Sequence, residues 1–488
     1  MTASTPLPFH VKRTGPILGP DRSRVLMRPF RPSTDDIARR IVARVMALPE
    51  DEAAGLLGQV LGDFARRHER VDDFFRKRFE QVKIYLEPGL QLSDERRMLI
   101  GAYFTHEYSI EAAALFNPSI VPHPDQSGLP QGSLRFILSL RATGEGHISS
   151  ITFRTGTVSA KGSITLSPPV PFVTEPERVP DVAYAKGLFT HKLERAGVQN
   201  DFGRRVLDKL HEDFTLKELR AVLLASGLTD ISDAKASRAA RGILLVAESD
   251  YEVNFALESH VSQRVLFPSA PSQSNGIEDA RFVRFQNDDG RFNYYATYTA
   301  YDGKVTLPQL LETPDFLHFK FRMLNGPAVE NKGMALFPRK VNGRYAMLSR
   351  QDDENLLIMF SNNIHFWSEP KLLAAPAQPW EFFKIGNCGS PIETEAGWLV
   401  LSHGVGAMRQ YCLGALLLDL NDPTRVIRRL NEPLLCPNEA ERDGYVPNVT
   451  YTCGALLHGL KLIIPYAMSD SATGFATVSL EKLLAAMK

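Results

Sequence analysis

The sequence predicts an all-β core, a five-bladed β-propeller, with an α-helical N-terminal extension and an α-helical insertion. Three observations predict it. First, a short apolar run ending in a polar residue and a small or acidic loop recurs five times: FILSLRATGEG from Phe136, YYATYTAYDG from Tyr294, YAMLSRQDDE from Tyr345, WLVLSHGVGA from Trp398 and LIIPYAMSDS from Leu462. Second, the last four copies start 51, 53 and 64 residues apart, the length of one four-stranded blade. Third, the long gap between the first two copies holds a blade and a run of helical periodicity at about 178–245.

The N-terminal part reads as helix from 34 to 115. IARRIVARVMALP, AAGLLGQVLGDFARRH and VDDFFRKRFEQVKIYL step their apolar residues by three and four, with Asp35 and Asp36 at a start and Pro49 at a stop. Leu56, Leu57, Val60, Leu61 and Phe64 form an apolar stripe that must pack on the core or on another subunit. The same period returns in AYAKGLFTHKLERAG, DFGRRVLDKLHEDF and LKELRAVLLASG. The expected organisation is therefore an arm and helical extension over 1–115, then a propeller over 116–488 interrupted at about 178–245. The insertion is expected to leave the propeller between its first and second blades. The two helical segments are expected to pack together, to build a homo-oligomer and to narrow access to the funnel.

Composition sets the limits on function. The chain of 488 residues is 44% hydrophobic and 23% charged, as globular proteins are, and its 56 Lys and Arg balance its 56 Asp and Glu. No global field draws in nucleic acid or an anionic membrane, so a charged ligand requires a local cluster. The four cysteines, Cys388, Cys412, Cys436 and Cys453, lie in apolar or Gly-containing runs without CxxC spacing and read as buried thiols rather than a zinc site or disulfide frame. With no apolar run of signal or membrane-spanning length, a cytoplasmic location is expected. There is no P-loop, no GxGxxG opening a helix and no HExxH.

In a propeller the innermost strands converge on the axis, so Arg141, Thr299, Arg350, His403 and Asp470, at the ends of the five copies, are expected around one mouth. GIEDARF, from Gly276 to Phe282, adds two adjacent acids beside Arg281. In an extended strand Asp279 and Arg281 share a face while Glu278 points away, so a single acid is expected to face the funnel. The alternative for each residue taken singly is a turn, a surface ion pair or a solvated lysine.

Six stretches in this order resemble glycoside hydrolase family 130, the β-mannoside phosphorylases and β-mannosidases. They are FNPSI at Phe116, GIEDARF at Gly276, KGMALFPRKVNGRYAMLSR at Lys332, KIGNCGSPIETEAGWLVLSHGV at Lys384, GALLLDLNDPTRVIRR at Gly414 and GYVPNVTYTCG at Gly444. The resemblance, running over about Leu115 to Leu483 apart from the helical insertion, implies a five-bladed propeller with Asp279 as general acid and Lys332, Arg350, Lys384 and His403 binding phosphate. It places Asn117, Arg141, Asn448 and Asp470 at the sugar, with Arg281 tuning the acid beside it. The activity implied is inverting phosphorolysis of β-mannosides to α-mannose 1-phosphate, with inorganic phosphate as co-substrate and neither cofactor nor metal. An inverting β-mannosidase on the same fold and a non-catalytic glycan-binding propeller are the alternatives. The chain departs from the family pattern at Ala280, where proline is usual, at Gly333, where an acid is common, and at Arg339, where glutamate often stands. These departures, with the added helices, mark an outlying branch.

Overall fold

The computed structural model describes residues 11–180, 183–195, 198–226 and 234–488. The start of the expected arm and short pieces of the expected insertion lie outside the described residues.

Five antiparallel sheets follow one another along the chain. Sheet one pairs Ala114–Pro122, Leu134–Thr143, Ser149–Val158 and Val265–Leu266 in that order, and sheet two pairs Ile277–Gln286, Phe292–Tyr301, Thr306–Thr313 and His318–Met323. Sheet three runs Ala335–Leu336, Tyr345–Ser349, Leu356–Ser361 and Lys371–Ala374. Sheet four runs Lys384–Asn387, Gly397–Val405, Tyr411–Leu418 and Val426–Arg429. Sheet five runs Thr450–Tyr451, Lys461–Met468 and Ala472–Ser479, and its outer strand is Lys12–Leu18. Each of the five repeated runs is the second strand of its sheet, which is why one polar residue recurs at one end of each.

Each sheet packs on the next. Ala114–Pro122 touches Ile277–Gln286, Phe292–Tyr301 touches Ala335–Leu336, Tyr345–Ser349 touches Lys384–Asn387, and Tyr411–Leu418 touches Thr450–Tyr451. The series returns on itself where Lys461–Met468 meets Ala114–Pro122. A cavity of about 350 Å³ is lined, among others, by Ile120, Val283, Ile392 and Leu456 of sheets one, two, four and five and by Pro338 just after the first strand of sheet three. At its edge Arg339, one of the departures, forms a two-pronged ion pair with Glu393 (Nε to Oε2 2.8 Å, Nη2 to Oε1 2.5 Å). A glutamate at 339 would face that acid.

Four helices precede sheet one: α1 (Asp35–Met46), α2 (Glu50–Phe64), α3 (Val71–Val82) and α4 (Asp94–Tyr103). Thr34 caps α1 through Ile37 N, and Ser93 caps α4 through Arg96 N. Their core gathers Val42, Leu57, Phe75, Phe79 and Leu99. The helical run stops at Tyr103, short of 115, because Thr105–Glu111 pairs with Asp21–Pro29 as a two-stranded ribbon. A fully buried pair of ion bridges ties this ribbon to sheet one, with Glu111 accepting from Arg24 at 2.9 Å and from Arg154 at 2.7 Å.

The insertion holds α5 (Lys186–Arg195), α6 (Asp201–Asp208), α7 (Leu216–Ala225) and α8 (Ala234–Glu248) around Phe189, Leu193, Phe214, Leu219 and Ile243. It departs from sheet one before that sheet's fourth strand, so it interrupts a sheet rather than separating two. Its borders, Glu177–Arg178 and Tyr251–Asn254, add two strands to the outer edge of sheet two. The apolar core of α5–α8 is separate from that of α1–α4. Between the two regions Lys77 in α3 pairs with Glu177 at 2.8 Å, an exposed contact. A cavity of about 1030 Å³ lies between α5 and sheets two and three, lined by Leu188, Lys192, Arg322, Phe360 and His365 among others and by none of the predicted site residues. The insertion thus lines this cavity with α5.

The expectation of four free thiols is corrected. Cys412 and Cys436 form a disulfide, and Cys388 and Cys453 are free and buried. The chain after sheet four folds back so that Leu413 N donates to Leu435 O, which aligns the two cysteines although 24 residues separate them. Among the described residues no helix is long and apolar enough to cross a membrane.

Candidate active site

Two matched irregularities build the site. In sheet one the pairs Phe116–Arg141 and Ser119–Ser139 leave Asn117 and Pro118 opposite Leu140 alone. In sheet two the pairs Glu278–Thr299 and Arg281–Thr297 leave Asp279 and Ala280 opposite Tyr298 alone. Each is a bulge with one extra residue, and each first residue is left-handed, Asn117 at φ 48° and Asp279 at φ 59°. Asn and Asp tolerate this conformation better than other side chains. Ala280 occupies the place in its bulge that Pro118 occupies in the other, so the missing proline is a local exchange within a retained turn.

The bulge corrects the expected alternation. With an extra residue in the strand, Glu278 and Asp279 both turn toward Arg141: Arg141 Nη1 lies 2.6 Å from Glu278 Oε2 and 3.8 Å from Asp279 Oδ1. Lys332 Nζ lies 3.6 Å from Glu278 Oε1. Asn117 Nδ2 donates to Asp279 Oδ1 at 2.6 Å. Burial pushes the Asp279 carboxyl up, but Arg141, Arg281, Lys332 and the Asn117 hydrogen bond outweigh it and hold the group below the usual carboxylate range. Asp470, left-handed at φ 53°, behaves in the opposite way. Burial lifts it to about 6 against the pull of Arg141, with Asp279 adding repulsion. Two neighbouring carboxyls are thereby pushed apart, one ionised and one near neutrality.

Arg281 is buried and bonded within the protein. Its side chain is 1% exposed, and its guanidinium donates to Cys388 O at 2.7 Å, Asp279 O at 2.9 Å and the Tyr451 hydroxyl at 2.8 Å. It joins sheets two, four and five beneath the acid, holding the Asp279 backbone in its strained turn. Arg281 is expected from the sequence to tune the acid beside it, and these three hydrogen bonds give it a positioning role there.

The four expected phosphate ligands divide. Lys332 Nζ stands with the carboxylates, while its backbone carbonyl accepts from Arg350 Nε at 3.0 Å. Gly333, at φ 93°, gives the Arg350 head its room: a Cβ there would come within 2.6 Å of Arg350 Nε. An acid at 333 would have both a strained backbone and no space. His403 is fully buried, accepts on Nε2 from Arg350 Nη1 at 3.2 Å and directs Nδ1 to Asn387 O at 3.2 Å. Burial, with Arg350, Lys384 and Arg281 nearby, drives it well below the usual histidine range, so it is neutral and orients Arg350 rather than adding charge. Lys384 Nζ approaches Asp353 Oδ1 at 3.1 Å. Asn448 is half-buried and left-handed at φ 62°; its carbonyl accepts from Tyr411 N, and the Tyr411 ring stacks on His403 at 6.0 Å. Thr299 is buried against Glu278 in the ladder.

Sequence reasoning missed Glu278, Tyr451, Asn331 and Asp353. The available signal was the cluster of Asn and Asp at strand ends, since Asn117, Asp279, Asn331, Asp353, Asn448 and Asp470 are all left-handed. Among the described residues no group of three or more His, Cys, Asp and Glu side chains is placed to hold a metal ion.

A strained acid held by buried arginine, with further basic side chains beside it at the meeting of several sheets, suits an enzyme that works on glycosidic bonds. A family model described as beta-1,4-mannooligosaccharide phosphorylase matches residues 234–488, and the chain belongs to that family, glycoside hydrolase family 130. Similar proteins include a 1,2-beta-oligomannan phosphorylase of Thermoanaerobacter sp. (strain X514), 33% identical over 45% of this chain and 73% of its own. A beta-1,2-mannobiose phosphorylase of the same strain is 34% identical over 49% of this chain and 77% of its own. Among solved structures, a beta-1,2-mannobiose phosphorylase from Listeria innocua in complex with beta-1,2-mannobiose superposes with a TM-score of 0.45 and 22% identity over 77% of this chain and 92% of that one.

Proposed function

We propose that the five sheets are the blades of a five-bladed β-propeller and that the enzyme is an inverting β-mannoside phosphorylase. In this reading phosphate, met by Arg350 and Lys384, attacks the anomeric carbon while the glycosidic C–O bond breaks and the leaving oxygen takes a proton from Asp279, directly or through a sugar hydroxyl. The products are α-mannose 1-phosphate and the shortened saccharide. Asp279 is ionised in the free enzyme, so in this reading the proton it delivers is taken up from solvent as substrate binds. General acid assistance of this kind is worth roughly 10² to 10⁴ in rate. Asn117, Arg141, Asn448 and Asp470 are assigned to the sugar and Lys332 to the boundary between sugar and phosphate.

The observation that carries the reading is the division of the basic groups. Arg350, oriented by neutral His403 and fixed to the Lys332 carbonyl, stands with Lys384 apart from the Glu278–Asp279 pair that uses Arg141. A phosphorylase needs cations on that side, and the carboxylate beside them, Asp353, is ion-paired with Lys384 rather than free to serve as the base a hydrolase needs. The names of the similar proteins, which include 1,2- and 1,4-linked mannoside phosphorylases, support the reaction class and leave the linkage open. The test is incubation with α-mannose 1-phosphate and a panel of acceptor sugars, with phosphate release expected. Cleavage of β-mannosides at one rate with and without phosphate makes the enzyme a hydrolase instead.

A further inference from the structure

We propose that Asp353 is a built-in competitor for phosphate: in the free enzyme its carboxylate occupies the anion-binding groups and must be displaced before phosphate can be held. This inference rests on the assignment of Lys384 and Arg350 to phosphate and says what stands there first.

Lys384 has a side chain only 12% exposed, and its one ion-pair partner among the described residues is Asp353 Oδ1 at 3.1 Å. A lysine so withdrawn from water needs an anion beside it, and the chain supplies one. The same carboxylate feels Arg350 and Asn331 as well as Lys384; against the upward push of burial they hold it below the usual carboxylate range. Asn331 is itself bound into the phosphate side, its Nδ2 donating to the Arg350 carbonyl at 3.1 Å. The Asp353 carboxylate therefore shares its surroundings with the proposed phosphate ligands.

Its own attachment is light. Asp353 is 55% exposed and sits left-handed, at φ 58°, in the turn after Arg350. The turn is held without its side chain, by Asp353 N to Arg350 O at 3.2 Å and by Asp352, which accepts from Glu354 N and Asn355 N. The carboxylate can swing into water while the turn persists. Phosphate then takes over the Lys384 hydrogen bond and the attraction of Arg350, bringing more charge and more acceptor oxygens than the group it replaces. A tethered competitor reduces apparent affinity by the fraction of time it holds the site. It also keeps Lys384 paired when phosphate is scarce.

The test is Asp353→Asn, with turnover measured against phosphate and against mannoside. The expected result is a fall in the KM for phosphate of about tenfold, the scale of one charge-assisted hydrogen bond no longer competing, with no matching fall in the KM for mannoside. Sulfate and phosphate titrations followed by thermal shift, without sugar, are expected to reach half-saturation at lower concentration in the variant. An unchanged or raised phosphate KM in Asp353→Asn, with wild-type turnover still phosphate-dependent, overturns the proposal and leaves the phosphorylase reading standing. A wild-type enzyme that neither requires nor binds phosphate overturns both. Because Asp353 is exposed and its turn is held by other groups, the variant folds, and a circular dichroism spectrum matching wild type confirms it.

Discussion

Replacing Asp470 by asparagine is expected to make the protein more stable at neutral pH and no more stable in acid. Its carboxyl is lifted from the model-peptide value of 3.8 to about 6. Each unit is worth 1.36 kcal/mol, so the ionised folded state is disfavoured by about 3 kcal/mol through this group. The sign follows from proton binding. The folded state holds the proton more tightly than the unfolded chain, so this contribution is fully present below pH 3.8 and is lost as pH rises through 6. Asparagine does not titrate, so the difference between variant and wild type grows from about zero near pH 3 to about 3 kcal/mol near pH 7.5. Urea unfolding of both proteins at the two pH values, followed by circular dichroism, measures it. Asp279 is present in both proteins and contributes oppositely, its lowered value giving stability that is lost toward acid. A difference of the same size at both pH values refutes the claim that burial strains the ionised Asp470.

Asp279→Asn is expected to keep the fold and to lose more than nine-tenths of turnover on a β-mannoside with a poor leaving group, assayed by product release. Arg281→Met leaves the Tyr451 hydroxyl, the Cys388 carbonyl and the strained Asp279 backbone without their donor; a loss of about 3 kcal/mol or more in urea unfolding is expected, together with loss of activity. Gly333→Ala places a methyl group against Arg350 in a backbone conformation that disfavours it, at a cost of about 1–3 kcal/mol, and is expected to raise the KM for phosphate more than that for mannoside. Cys412→Ser is expected to lower stability by about 3 kcal/mol under oxidising conditions, and the difference from wild type vanishes in reductant.

The strands carrying the repeat were legible because each is buried on both faces and so reads as a continuous apolar run. Tyr345–Ser349 and Lys461–Met468 are examples. The helices were legible from their stripes and from caps such as Thr34. What did not show was whatever depends on one residue too many. A bulge leaves composition and periodicity nearly untouched, yet it decides that Glu278 turns to Arg141 and that Asp279 stands in a left-handed turn. The neutral state of His403 is equally invisible, because it comes from burial and from Arg350, 53 residues away in the chain. The disulfide escaped because its cysteines are aligned by a fold-back of the chain, a tertiary event. The edge strands of sheet two lay hidden in the insertion, since a strand as short as Glu177–Arg178 has no period to read.

The outer strand of sheet five has a further consequence. Thr14 lies opposite Phe475, and Arg13 reaches Glu441 Oε1 at 2.7 Å and the Cys436 carbonyl at 2.6 Å. During synthesis residues 12–18 leave the ribosome more than 450 residues before the strand they pair with. Until then this early segment has an unpaired edge, and its pairing is a late event of high loop-closure entropy. The nascent chain should favour a chaperone or slow annealing over rapid collapse. Once paired, residues 12–18 tie an early segment of the chain to the edge of sheet five, so the last sheet is complete only when both distant segments are in place.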